Sequence, residues 1–126
     1  MSSAHRPEEL HRALADAFNT RQIENVMALY EGHASLVPRP GIVVSGGAAL
    51  REALRGFLAV PGLMIIETVY AVESDGLALT RSAWSIRDGN ETQLHGAGTE
   101  IMRRQPDGSW LFAVDHPFGA AAGPTP

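Results

Sequence analysis

Two hydrophobic periods divide the chain. Leu10, Ala13, Leu14, Ala17 and Phe18 fall at i, i+3, i+4, i+7 and i+8, which predicts a first helix ending near Asn19. Pro7 suits its first turn, and Glu8 and Glu9 complement the positive end of its dipole. Ile23, Val26, Met27 and Tyr30 predict a second, shorter helix that stops before Gly32, joined to the first by a tight link at Thr20-Arg21. Two short strands follow, at 34–37 and 42–44, the first broken by Pro38 and Pro40. A third helix opens after Ser45-Gly46-Gly47, carries the stripe Leu50, Ala53, Leu54, Phe57 and Leu58, and stops at Pro61-Gly62. From Leu63 the pattern becomes that of strands. Turn signals at Ser74-Asp75-Gly76, Asp88-Gly89-Asn90 and Pro106-Asp107-Gly108 separate four long segments, which describe an antiparallel meander ending in Trp110 to Phe118. Helices segregated against such a sheet make an α+β domain over residues 1–118, with a small, flexible tail at 119–126.

Composition narrows the functional classes. The 126 residues are 44% hydrophobic and 19% charged, enough for a real core. The net charge of −4 favours neither nucleic acid nor an anionic membrane surface as partner. All ten fixed side-chain cations are arginine, so Schiff-base chemistry through lysine is excluded. The absence of cysteine removes disulfides, thiolate nucleophiles and cysteine-ligated metals. No segment approaches the ~20 apolar residues of a membrane span, and the N-terminus lacks the apolar stretch of a signal peptide. A cytoplasmic protein is the expectation.

The closing strand carries the most suggestive chemistry. Its apolar run ends in Asp115-His116, and a small-molecule site needs a few polar groups at the lip or floor of an apolar hollow. Strict alternation puts His116 on the face of Trp110, Phe112 and Val114, where its imidazole would serve as general acid or base. Asp115 then points away, unless a bulge turns it inward to orient His116 or to act itself. Phe112 and Trp84 are candidate walls for an apolar ligand, and Tyr30 a candidate hydrogen-bond donor to a carbonyl oxygen. His95 and Thr99 share one face of the third long strand, which is either the cavity or the outer surface. Metal binding is poorly supported: His5, His11 and His33 form no ligand pattern. Met27 and Met64 read as adaptable filler, Arg103 and Arg104 as a solvated face. Gly96-Ala97-Gly98 lies inside a strand without the helix that phosphate binding requires, and reads as a site of sheet bending.

The order of elements, the helix entry Gly46-Gly47-Ala48-Ala49-Leu50-Arg51, the strand Gly98 to Arg104 and the ending Trp110 to His116 resemble the SnoaL-like branch of the NTF2-like superfamily across residues 7–118. The resemblance implies a cone-shaped α+β fold, three helices packed on a curved and mainly antiparallel sheet, a homodimer formed through that sheet, and no cofactor. It also implies either a cofactor-free cyclase, isomerase, hydratase or hydrolase working by acid–base chemistry, or a binder or interaction module without catalysis. Family cyclases place an Asp–His pair in the cavity, which would assign catalysis to His116 and Asp115. The carboxylate base of ketosteroid isomerases is replaced by Val37, so steroid isomerisation is not expected. Val114 and Phe118 stand where relatives carry a histidine and a serine, which makes the cavity more apolar.

Overall fold

The computed structural model describes residues 4–120. Helix α1 (Pro7–Asn19) forms where the stripe predicts it, and buries Leu10, His11 and Phe18 among its inward positions. Asn19 fastens its C-terminal end to the sheet: its amide donates to the Met64 carbonyl at 3.1 Å and accepts from the Met64 N–H at 2.8 Å. Arg21, in the left-handed region at φ 61°, follows. Its guanidinium donates to the carbonyls of Leu58, a group the end of the third helix leaves without a partner, and of Val60 and Gly62 in the link that follows.

Helix α2 (Ile23–Met27) is shorter than expected. Tyr30 belongs instead to strand β1 (Tyr30–Arg39), pairing with Phe112. Neighbouring strands thus override a helical period of only a few residues. β1 also runs through Pro38. Its register with β2 (Ile42–Ser45) shifts between Leu36 and Arg39, so the missing proline N–H falls at an irregularity in the ladder. Helix α3 (Gly47–Leu58) follows, then β3 (Leu63–Ser74), β4 (Leu77–Asp88), β5 (Glu91–Arg104) and β6 (Trp110–His116). The sheet order is β2-β1-β6-β5-β4-β3, antiparallel except where β1 meets β6.

The sheet is curved and remains open between the β2 and β3 edges, with the three helices on its inner side. One apolar cluster joins Leu10, Leu36, Leu50 and Phe112; a second joins Phe18, Met64, Trp84 and Ile86. Each fully buried side chain of this size contributes roughly 1.5–3 kcal/mol, and together they hold the helices to the sheet. Gly119 and Ala120, expected to belong to a loose tail, donate their N–H groups to the carbonyls of His116 and Ala97 at 2.9 Å. The remaining tail residues lie outside the described ones.

Candidate functional site

Two bulges decide which side chains face the helices. Along β5 and β6, Ile101 pairs with Val114 but Met102 pairs with Phe112, leaving Ala113 as an extra residue. Side chains that strict alternation assigns to opposite faces therefore exchange places beyond it. Asp115 turns inward and is 6% exposed, whereas His116 turns outward. On β3, Val69 is the extra residue between Thr68 and Tyr70.

The inner face then carries a transverse row, Leu36, Asp115, Glu100, Thr80 and Ala71, each the register partner of the next across β1, β6, β5, β4 and β3. Two carboxyl groups are consequently cross-strand neighbours on a buried surface. Glu100 is 4% exposed and saturated with donors. Thr80 and Ser82 hydroxyls donate to its two oxygens at 2.6 Å, and His11 Nε2 lies 2.8 Å from Oε1. An ionised carboxylate only accepts, so three converging donors fit the carboxylate form. His11 Nδ1 meets the Thr68 hydroxyl at 2.6 Å, so both ring nitrogens are engaged. Gly98 makes this possible, since a Cβ there would stand 2.5 Å from Glu100 Oε2.

Asp115 has a single partner. The Tyr30 hydroxyl donates to its Oδ2 at 2.5 Å, and Oδ1 has no hydrogen-bond partner among the described residues. No fully enclosed side-chain nitrogen or oxygen among those residues lacks a partner, so Oδ1 borders open space. Burial, with the negative charge of Glu100 added, pushes the Asp115 carboxyl up to about 7, against the lowering effect of the Tyr30 hydrogen bond. Tyr30 is itself raised well above the ordinary phenol value by burial and by the Asp115 charge.

These groups line a cavity between α1, α2, α3 and the sheet. Its apolar walls include Leu14, Phe18, Leu54, Phe57, Met64 and Phe112. Its volume is about 50 Å³, room for more than one water. Trp84 closes one side, its indole N–H donating to the Pro117 carbonyl at 2.7 Å. Phe57 meets that ring edge-on at 6.1 Å, and Phe118 packs on it at 5.4 Å. Gly96 makes room for the indole: a Cβ would stand 2.8 Å from Trp84 Cζ2. The glycines of β5 thus accommodate two inward side chains, rather than only the bending expected of them.

Of the residues singled out in the sequence, Asp115, Tyr30, Trp84 and Phe112 border this cavity. His116, Thr99 and His95 do not. His116 and Thr99 are register partners on the outer face, where a Cβ on Gly119 would lie within 2.7 Å of both side chains. His95 is exposed on the same face, because β5 turns its even-numbered side chains inward. The placement of His116 beside Phe112 is corrected by the Ala113 bulge. The Tyr30 hydroxyl, expected as a donor to a ligand carbonyl, donates to Asp115 in this structure. His11 and Glu100 were missed. The available signal was that His11 precedes Leu14 and Phe18 by i+3 and i+7 on the buried helical stripe, and that Glu100 shares parity with Gly98 and Met102. Among the described residues, no group of three His, Asp or Glu side chains stands close enough to hold a metal ion, and no helix is long and apolar enough to cross a membrane.

A curved, open sheet folded over three helices, with a polar floor in an apolar hollow, defines an NTF2-like α+β cone. Solved NTF2-like proteins share this fold. Solved structures with the same fold include a protein provisionally named a calcium/calmodulin-dependent protein kinase type II association domain, from Thiobacillus denitrificans ATCC 25259. It is 19% identical with a TM-score of 0.76, the match covering 92% of this chain and 96% of that one. A provisionally named dehydratase of the NTF2-like family from Streptomyces avermitilis is 19% identical with a TM-score of 0.67, over 86% and 88% of the two chains. A ketosteroid isomerase-like protein from Erwinia carotovora atroseptica SCRI1043 is 25% identical with a TM-score of 0.65, over 86% and 89%. No protein-family model matches the sequence, and no curated protein matches it.

Proposed function

We propose that this chain binds a compact, largely apolar organic molecule in the cavity above Asp115 and exchanges a proton with it through that carboxyl group. The observation that carries this reading is Asp115 itself: nine-tenths buried, held on one oxygen by Tyr30, and open on the other to the cavity. A carboxyl pushed up to about 7 is present in both protonation states near neutrality, which suits a general acid or base. Glu100 and His11 form a fixed electrostatic floor, because their hydrogen-bonding capacity is already turned on each other and on Thr68, Thr80 and Ser82. Trp84, Phe57 and Phe112 shape the apolar wall. The neighbours provisionally named dehydratase and ketosteroid isomerase-like lend general support to acid–base chemistry in this fold, without naming a substrate.

The outer face of the sheet gives a second element of the reading. Leu63, Ile65, Tyr70, Val72, Leu77 and Leu79 are exposed there on adjacent strands β3 and β4. Large apolar side chains exposed in this number on one sheet face mark an association surface, and a second copy of this chain is the proposed occupant.

The test is incubation of the protein with a small-metabolite extract in D2O, followed by mass spectrometry of retained and released compounds. A compound that changes mass with the natural protein, and not with Asp115→Asn, supports the enzyme. One that is retained unchanged supports the non-catalytic binder. Retention of nothing contradicts both.

A further inference from the structure

The hydrogen-bonding capacity of the cavity is lopsided. Four of its lining side chains carry a permanent N–H or O–H donor: His11, Tyr30, Ser82 and Trp84. All four are engaged inside the protein. The imidazole faces Glu100 and Thr68, the phenol donates to Asp115, the serine to Glu100, and the indole to the Pro117 carbonyl. No arginine lines the cavity. What stays free is acceptor capacity, above all Asp115 Oδ1. Behind it stands the second carboxyl group, Glu100, its direct cross-strand neighbour.

We propose that the cavity selects its guest by charge, taking a compact apolar molecule that ends in an ammonium group and excluding one that ends in a carboxylate. The inference rests on the small-molecule reading above and names the substrate class of that same site. An ammonium supplies the donors the cavity lacks, and its bond to Asp115 Oδ1 is charge-assisted at a carboxyl group that is itself buried. A carboxylate would find no free cation, one neighbouring negative group, and at most the single hydroxyl of protonated Asp115.

Proton balance follows. A guest that arrives as its ammonium ion needs ionised Asp115. Where Asp115 is protonated, binding breaks the Asp115 O–H bond and releases one proton to the buffer while the ammonium stays intact. The groups facing Asp115 are Tyr30 from β1, Glu100 from β5 and, through Glu100, His11 from α1. The inward residues of β4 and β3 beside them, Thr80, Ser82 and Thr68, do not titrate in this range.

Toluene, benzylamine and benzoate share one ring and differ in charge. Their binding to the full chain is read from NMR shifts of the Trp84 indole N–H and the Met64 methyl. Benzylamine is expected to bind at least tenfold more tightly than toluene at pH 8, and benzoate more weakly than toluene. Benzylamine affinity is expected to fall about a hundredfold from pH 8 to pH 5, tenfold per unit below the Asp115 midpoint, with one proton released at the acid end. In Asp115→Asn, an isosteric change whose fold is checked by the same spectrum, the preference for benzylamine and its pH dependence both disappear. Benzoate binding as tightly as benzylamine would overturn the inference, as would a pH dependence that survives Asp115→Asn. Toluene binding without a preference for the amine would leave the cavity reading standing and remove the charge selection. No shift with any of the three removes both.

Discussion

At the scale of the residue, the site depends on how two carboxyl groups are kept unlike one another. Glu100 holds three donors and Asp115 holds one. Gly98 is the space in which Glu100 sits, and a methyl group there would also come within 2.7 Å of Ser82 Oγ. Gly98→Ala is therefore expected to cost about 1–3 kcal/mol in urea unfolding, as other buried overpacking does. Asp115 gives a signed pH effect. Its carboxyl rises from 3.8 to about 7 on folding, so the folded state binds this proton more tightly than the unfolded one. Its contribution is fully present below pH ~4 and is lost as the pH rises through ~7, by as much as roughly 4 kcal/mol. Asp115→Asn is expected to remove that decline, so urea midpoints measured from pH 4 to 8 should show a flatter profile for the variant. Little of this was legible in the sequence. Asp115 stood out because it follows a long apolar run. His11 and Glu100 did not, since one polar residue on an amphipathic stripe gives no sign of a partner 89 positions away.

At the scale of the element, period and turn chemistry carried most of the information. The stripes on α1 and α3, and the three glycine-containing turns between β3, β4, β5 and β6, are local patterns, and the elements appear within a few residues of where they predict. What failed was parity. One unpaired residue, Ala113, exchanges the faces of Asp115 and His116, and no residue type in Ala113-Val114 announces it. The short second helix failed for a related reason: Tyr30 fits a helical spacing, yet its pairing with Phe112 and its ring contact at 5.1 Å draw it into the sheet. The joint between α1 and β3 is open to a direct test. Asn19→Ala leaves the Met64 N–H and carbonyl without their side-chain partner, and is expected to lower stability by about 1–3 kcal/mol in thermal melts. It should leave the Asp115 midpoint unchanged, because Asn19 lies outside the cavity lining.

At the scale of the whole molecule, the two faces of the sheet differ in what they expose. The inner face closes on the helices and leaves the cavity; the outer face presents Leu63, Ile65, Tyr70, Val72, Leu77 and Leu79. If a second copy covers that face, light scattering at micromolar concentration gives twice the chain mass, and Leu79→Arg gives the single-chain mass while retaining the fold. A single-chain mass for the natural protein would remove the dimer and leave the cavity untouched. The site itself depends on one feature: a buried carboxyl group, held by Tyr30, opens its free oxygen into an apolar hollow. The most direct measurement is the pH titration of the Asp115 side-chain carboxyl carbon by 13C NMR, in the natural protein and in Tyr30→Phe. That arrangement requires a midpoint near 7 that moves higher when the phenol is removed, because Tyr30 favours the ionised form. A midpoint near 4 in both proteins would contradict it.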